Sequence, residues 1–585
     1  MKIKVKDEER LLKNISLLFP QGKTDAPVRQ LTEETINDLS VHYICQQLSR
    51  NAGEQNVIRN IMINLCDDPD VIRYRCDIFE DVLRFPVLRQ RIAELLDQLD
   101  FLKSVERLSK DTDASSIWQL INRLNELDHY IDCITGIRDC LKGIDIHSEG
   151  FRDLRDFVEE IYTDSGFDYL KKDIRNLQAN VCKIKSLTLG VNLDKELRPV
   201  ETGIVSINNE SYKEMGILQN LLDFTKSKEE IHDGIRFTGM APYHVPKINR
   251  ELGEGMANAV EGVTMVGVAK KLGKDYAASQ IGGNPLMNNL NLTITDMLQG
   301  VVRNLKTVLS KYINVSGYAL SALISEFTFY IKWAELVDRL LAAGAVLSKP
   351  EILDEPRAFR GDGIYNMKLA LHKLENPGEE IVQNDLDFCT AHRIYVLTGP
   401  NRGGKTTITQ AVGILYLLAQ NGIYVPGTHV ALCPADNIFT HFPADENQTV
   451  DLGRLGEESK RFSEIFSKAT SRSLLLLNES FATTSFTEGL YIAKDITKSL
   501  KYLGANTIFN THMHELAASL DEMNATLDTE DQAVSLITGV EEGRRSYKVS
   551  IAPPQGLSFA QDIAEKYGVT FAQLQKLIEQ KKAES

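Results

Sequence analysis

The stretch Arg393–Gln410, RIYVLTGPNRGGKTTITQ, constrains this chain more than any other. Residues Ile394–Thr398 predict a short buried strand, and a helical pattern follows through Ala411–Leu418. Between them, Gly399-Pro-Asn-Arg-Gly-Gly404-Lys405-Thr406 fits G-x-x-x-x-G-K-S/T, and a strand–loop–helix context is what gives that motif its meaning. Glycines let the backbone curl so that its N–H groups face phosphate oxygens, and the helix N-terminus adds partial positive charge at the same spot. Gly399, Pro400, Asn401, Gly403, Gly404 and Thr407 are therefore expected to cradle the phosphates of ATP. Lys405 is expected to reach the β- and γ-phosphates, and the Thr406 hydroxyl to ligate Mg²⁺. The bland alternative is a Gly-rich turn with a solvated lysine, and the flanking strand and helix argue against it.

A chain of 585 residues has room for roughly three or four domains. A net charge of −15 and a pI near 5.4 argue against a broadly basic coat for nucleic acid, but local patches are what bind phosphate. The eight cysteines are scattered without a C-x-x-C, which predicts reduced thiols rather than disulfides or zinc. Met1–Asn14 is charged and has no apolar core of the signal-peptide kind. Nor does any apolar run approach the ~18 residues of a membrane span. A cytoplasmic location with no membrane partner is the expectation.

Residues 1–60 predict an N-terminal helical segment, with Leu31–Leu39 at helix-like spacing behind a capping threonine. Residues 61–348 predict a long-helix region. Within it Val71–Leu102 reads as helix broken or kinked at Pro86, and Leu120, Ile121, Leu124 and Leu127 form a core stripe. Lys185–Val191 and Gly203–Ile207 predict two strands of a small β insertion, placed at about 185–290. The basic cluster Lys270, Lys271 and Lys274 reads as a solvated face. Ser348–Gly363, with Pro350 and Pro356, marks a boundary, after which residues 349–585 alternate strand and helix as in a mainly parallel α/β sheet. The fold class expected is multidomain: a long-helix core and lever region with a small β insertion, then an α/β P-loop ATPase domain.

Leu474–Leu477 is an apolar strand ending at Asn478-Glu479. P-loop ATPases hold Mg²⁺ with a carboxylate at such a strand end, often followed by a glutamate that orients the attacking water. Glu479 suits the second role. Asn478 stands at the metal position with an amide oxygen and no charge. A third strand, Ala505–Asn510, ends at Thr511-His512, where a histidine can contact the γ-phosphate. His512-x-His514 also has the look of a metal pair, but no further donor pattern supports it.

Together these pieces resemble the MutS family of DNA mismatch-repair ATPases. The resemblance rests on TGPNRGGKTT at 398–407, LLAQNGIYVP at 417–426, LLLLNES at 474–480, TSFTEGL at 484–490 and FNTHMHELA at 509–517. Val382–Asp385, Arg75–Leu83, SLTLGVNLDKELRP at 186–199 and Gly556–Gly568 add to it; they are similar to the family's pre-nucleotide segment, helical core, clamp and dimer-contact segment. The resemblance implies an ABC-like ATPase working as a homodimer, with ATP and Mg²⁺ as cofactors. Each composite site would take Lys405 from one subunit and Ser485 from the other, and Ile381 aligns with a position that packs on adenine. Four departures stand out: Asn478 replaces the metal-site aspartate, and Phe481–Thr484 replaces a glycine-rich signature. No counterpart of the mismatch-wedging Phe-x-Glu is found, and no nuclease-like tail of the second bacterial branch is expected. The family therefore implies a clamp on double-stranded or branched DNA, switched by ATP and reading shape more than a mispair. A clamp acting on a protein or ribonucleoprotein partner is the alternative, and a P-loop kinase is a simpler one that leaves the helical half unused.

Overall fold

The computed structural model describes residues 15–24, 26–96, 117–181, 186–196, 199–208, 298–312, 315, 318–376, 378, 380–400, 402–443, 453–482, 485–541, 544–554 and 567–584. Asn401, Cys182, Thr483, Thr484, the Lys270–Lys274 cluster and most of the 185–290 insertion lie outside the described residues, as does most of Gly556–Gly568.

The chain forms two units that do not follow chain order: one of residues 1–12, 97–139 and 157–321, the other of 13–96, 140–156 and 322–585. In chain order, the elements begin with strand β1 (Val28–Gln30), helices α1 (Glu33–Asp38), α2 (Val41–Leu48) and α3 (Ala52–Met62), strand β2 (Asn64–Cys66) and helix α4 (Pro69–Arg84). Then come α5 (Ile117–Leu141), α6 (Glu149–Thr163), α7 (Ser165–Val181), β3 (Ser186–Leu193), β4 (Pro199–Asn208), α8 (Gln299–Leu309) and α9 (Tyr318–Ala342).

In the first unit, β3 and β4 pair antiparallel, as the two apolar runs around a turn predicted. Leu120, Leu124 and Leu127 are buried on α5, so the stripe is core, with Ile121 half-buried at its edge. Asp173 on α7 accepts from Lys311 Nζ at 3.0 Å and Tyr312 Oη at 2.9 Å, which anchors the end of α8.

The second unit carries the nucleotide motif. Its strands are β5 (Leu347–Ser348), β6 (Glu351–Ile352), β7 (Phe359–Ile364), β8 (Asn384–Phe388), β9 (Ile394–Thr398), β10 (Val425–Pro426), β11 (His429–Leu432), β12 (Ile438–His441), β13 (Leu474–Asn478), β14 (Asn506–Asn510), β15 (Ala533–Glu541) and β16 (Arg544–Ile551). Its later helices are α10 (Met367–Glu375), α11 (Lys405–Gln420), α12 (Gly453–Lys468), α13 (Phe486–Leu503), α14 (His514–Ala518), α15 (Leu520–Thr526) and α16 (Phe571–Glu584). A six-stranded sheet runs β12-β13-β14-β9-β15-β16, parallel except for the antiparallel β15–β16 edge pair. The four leucines of β13 are all buried, the continuous apolar run expected of a parallel strand covered on both faces. A mixed four-stranded sheet, β6-β11-β7-β8, lies in the same unit.

Helix α11 is buried along nearly its whole length. It packs on β13 and β14 and also on α4 and β2. A β-carbon at Gly413 would come within 2.6 Å of both Leu39 and Leu476, so the helix fits between these neighbours only with glycine there. The N-terminal segment is thus built into the nucleotide unit. Gln410 Nε2 donates to the Asp38 carbonyl at 2.8 Å, and the Asp38 carboxylate accepts from Thr440 at 2.6 Å and from Arg461 at 3.2 Å. The buried Arg75 guanidinium donates to the carbonyls of Leu18 at 2.8 Å and Gln420 at 3.2 Å. Thr32 caps α1, as its position predicted. Helix α4 ends at Arg84, and Phe85, before Pro86, leaves the helical region at φ −117° and ψ 82°, as steric clash with a following proline requires.

Candidate functional site: a nucleotide pocket

The loop between β9 and α11 turns on Gly404, which sits at the helix N-cap with φ +86°. That region is open to glycine at little cost. Arg402 also adopts φ +59° here. Lys405 is buried and its Nζ donates to the carbonyls of Gly399 at 3.1 Å and Pro400 at 3.3 Å. Burial lowers its pKa, and the Glu479 carboxylate opposes that shift. A buried ammonium held by its own loop's carbonyls is suited to an incoming anion.

Strand register brings the other groups alongside. Asn478 at the end of β13 pairs with Asn510 at the end of β14, and Asn510 pairs with Leu397 of β9. The three strand ends thus stand level beside the loop. Thr406 Oγ1 donates to Asn478 Oδ1 at 3.0 Å and accepts from Asn510 Nδ2 at 3.4 Å. Asn510 Nδ2 also donates to Asn478 Oδ1. Glu479 has φ +52°, and its N–H bonds to the Asn510 carbonyl at 2.9 Å. Its Oε1 lies 2.9 Å from His512 Nε2. Such a strained backbone position at a strand end aims the side chain.

Among the described residues, Glu479 Oε2 and Asn510 Oδ1 are both buried without a hydrogen-bond partner. Buried acceptors of this kind are rare and call for a missing donor or cation. The residues present fit a magnesium nucleotide. The buried lysine suits the phosphates. The oxygen atoms of Thr406 and Asn478 suit a hard cation, which prefers oxygen ligands and keeps several waters. The orphan carboxylate oxygen suits a bound water.

These groups open on a cavity of about 790 Å³. Its lining includes Arg402, Gly403, Gly404, Lys405, Thr406, Thr407, Glu479, His512 and, away from the loop, Ile381. Of the expected residues, Gly399 and Pro400 act through the carbonyls that hold Lys405, and Asn478 stands behind Thr406. Ser485 is not in this lining. It is exposed at the N-cap of α13, its hydroxyl donating to Glu488 at 2.7 Å.

Among the lining and supporting residues missed from sequence are Asn510, Asn366 and Tyr547. Asn510 joins the site only through strand register. Asn366 caps α10 and donates from Nδ2 to the Thr407 carbonyl at 2.9 Å. Tyr547 lines the cavity with φ +55° and is 46% exposed, while the other lining tyrosine, Tyr365, is buried. Asn384 holds Tyr547 in place, donating to its carbonyl at 3.2 Å and accepting from Val549 N at 2.8 Å. A β-carbon on Gly404 would lie 3.3 Å from the Tyr547 ring, so the ring stands over the start of α11. No local pattern in the sequence marks this tyrosine.

Two family models match the chain: one described as MutS domain V covers residues 395–575, and one described as the MutS2 N-terminal domain covers residues 67–343. The chain belongs to the MutS family. The MutS domain V match contains the loop, both strand-end asparagines, Glu479, His512 and Tyr547. Among curated relatives, a DNA mismatch repair protein MutS from Chlorobium phaeobacteroides is 31% identical over 218 residues, 36% of this chain and 25% of that protein. A DNA mismatch repair protein MutS 1 from Halobacterium salinarum is 32% identical over 211 residues, 34% of this chain and 24% of that protein. The MutS of Halothermothrix orenii is 24% identical over 491 residues, 77% of this chain and 53% of that protein. The chain thus spans about a quarter to a half of the length of these MutS relatives. Among the described residues, no helix is long and apolar enough to cross a membrane.

Proposed function

We propose that this MutS-family chain is a dimeric ATPase that clamps double-stranded or branched DNA and switches that grip with ATP and Mg²⁺. The observation that carries the reading is the convergence of Lys405, Thr406, Glu479 and His512 on one cavity beside an orphan carboxylate oxygen. In this reading Lys405 and the loop N–H groups hold the phosphates, with Gly399, Pro400, Asn401, Gly403, Gly404 and Thr407 shaping the loop. Thr406 holds Mg²⁺ directly and Asn478 supports it. The ion would neutralise charge on the phosphates during transfer. Glu479 orients the attacking water, positioned in turn by His512. The base lies toward Ile381 and Tyr547. Ser485 completes the site of a partner subunit. The DNA role follows from the relatives, which are named as DNA mismatch repair proteins.

Glu479→Gln tests the hydrolytic role. The variant is expected to bind ATP with near-normal affinity and to lose about 100-fold or more in turnover, within the range typical of a general base. Lys405→Ala is expected to lose nucleotide binding itself, and unchanged binding would remove the loop from the site. The DNA role is tested by filter binding over linear, mispaired, branched and single-stranded DNA, with and without ATP, at several salt concentrations. Expected are a preference for branched duplex, less than about tenfold preference for a mispair (1.4 kcal/mol), and a steep salt dependence from counterion release. Binding to none of these DNAs would turn attention to a protein or ribonucleoprotein partner.

A further inference from the structure

The turn that delivers the chain into β9 carries a second cluster of donor atoms, at the end of that strand remote from the nucleotide loop. Cys389 and His392 face one another across an isolated antiparallel bridge, and His392 N donates to the Cys389 carbonyl at 3.1 Å. Asp387, two residues before Cys389, lies on the same side of its strand by the period-2 alternation. Ligand atoms of Asp387, Cys389 and His392 all lie within 4.8 Å of one another. Cys389 Sγ is 3.4 Å from His392 Nδ1 and 3.7 Å from Nε2, and Asp387 Oδ2 is 3.6 Å from Nδ1.

We propose that Asp387, Cys389 and His392 form a binding site for a divalent transition ion of the zinc class. The argument is geometric first. Zn–S near 2.3 Å and Zn–N or Zn–O near 2.0–2.2 Å, at tetrahedral angles, place neighbouring ligand atoms roughly 3.3–3.6 Å apart. Cys389 Sγ and Asp387 Oδ2 both lie close to this range from the imidazole nitrogens, so the three donors can converge on one ion once the ring turns a lone pair into the space between them. The donor set comes second. One thiol, one imidazole and one carboxylate suit a borderline ion and not Mg²⁺ or Ca²⁺, which take oxygen. Third, the imidazole already has outer support. Tyr395 Oη donates to the Asp387 carbonyl at 2.6 Å and lies 3.2 Å from His392 Nδ1. Its oxygen can accept the imidazole N–H, leaving the other ring nitrogen free to ligate, which is how metal-ligating histidines are usually oriented. His392 is 25% and Asp387 48% exposed in the side chain, so a fourth position is open to water. Gln532 N donates to the Thr390 carbonyl at 2.9 Å and fixes the turn between the ligands. This proposal revises, for Cys389, the expectation of thiols without zinc. The spacing D-x-C-x-x-H holds a single cysteine, so no C-x-x-C pair marks it in the sequence.

The test is titration of the chelator-treated full-length protein with Co²⁺, in excess Mg²⁺ and ADP to fill the nucleotide site. Expected is one equivalent bound, with a thiolate-to-cobalt charge-transfer band in the near ultraviolet and intense tetrahedral bands in the visible. Cys389→Ser should abolish the charge-transfer band. Asp387→Asn keeps the thiol, so it should retain the band while binding more weakly. Tyr395→Phe should weaken binding about tenfold without removing the band, as loss of an outer partner does. Thermal melting of the metal-free variants alongside the parent separates misfolding from ligand loss. Absence of a stoichiometric thiolate band in the folded parent, or its persistence in Cys389→Ser, overturns the site.

Discussion

At the residue scale, the most telling position is Asn478. Its amide oxygen already accepts from Thr406 and Asn510, so an aspartate carboxylate there could accept the same two bonds without moving. Asn478→Asp adds a charge beside the cation and leaves the hydrogen-bond pattern intact. The expected outcome is a several-fold lower Mg²⁺ requirement for ATPase activity, because a carboxylate holds the Mg²⁺ shell more tightly than an amide. Glu479 is close enough for like-charge repulsion to oppose this gain. Slower turnover at every Mg²⁺ concentration would show that the repulsion wins and that this strand end is not a weakened metal site. Tyr547 gives a second test. Aromatic–base stacking is worth about 1–3 kcal/mol, so Tyr547→Ala should raise the ATP Kd about tenfold or more while Tyr547→Phe stays near the parent. An unchanged Kd in the alanine variant, measured by calorimetry, would remove the ring from the base site. Lys405, Thr406 and Glu479 were legible from sequence because a contiguous motif or a strand end carries each. Asn510 and Tyr547 were not, because one depends on strand register and the other on a backbone conformation that no neighbouring residue announces.

At the scale of elements, the strand β12 supplies a buried histidine behind the site. His441 Nδ1 is 2.7 Å from Ser480 Oγ, Nε2 is 3.2 Å from the Glu458 carbonyl, and the ring stacks on Phe481 at 5.6 Å. Burial, helped by the nearby Arg461 charge, depresses its pKa to about 4. In the unfolded chain a histidine titrates near 6.5. Between these values the unfolded state binds the extra proton, so stability falls as pH falls. The contribution is full above about pH 6.5, lost progressively down to about pH 4, and on the order of 3 kcal/mol in total. Denaturant unfolding of His441→Gln and the parent across this window should show the parent losing stability more steeply; parallel curves would mean that His441 is not held neutral. The strand and helix order of the nucleotide unit was legible, since β9, β13 and β14 are apolar runs with local boundaries. The docking of α1 against β12 and α12 through Asp38 was not. Its partners Thr440 and Arg461 lie some four hundred residues away in sequence, and nothing near Asp38 points to them.

At the scale of the whole molecule, the question is what completes the nucleotide site. Ser485 is exposed and absent from the lining of its own chain's cavity. Helix α16 carries Phe571, Leu574 and Ile578, which are 82%, 42% and 53% exposed. Spacing of three and then four residues places them on one face. An amphipathic helix with its apolar face in water is a surface that association would bury. Both features suit a homodimer in which α16 contributes to the contact and Ser485 reaches the partner's phosphates. Phe571→Glu with Leu574→Glu and Ile578→Glu puts charge across that face. Sedimentation should then report a monomer in place of a dimer. ATP should still bind, because Lys405 and Thr406 belong to the same chain as the cavity. Turnover should drop about 100-fold, the usual loss when one preorganised contact to a developing charge is removed. Ser485→Ala in an otherwise intact dimer should lower turnover in the same direction without dissociating it. Mixing Ser485→Ala with Lys405→Ala protein distinguishes a shared site from a self-contained one. A heterodimer pairs one damaged lysine and one damaged serine in the same composite site, which leaves the other site intact. Activity recovered on mixing two inactive variants is therefore the expected result, and a monomeric triple variant with full turnover would show that each chain hydrolyses ATP alone.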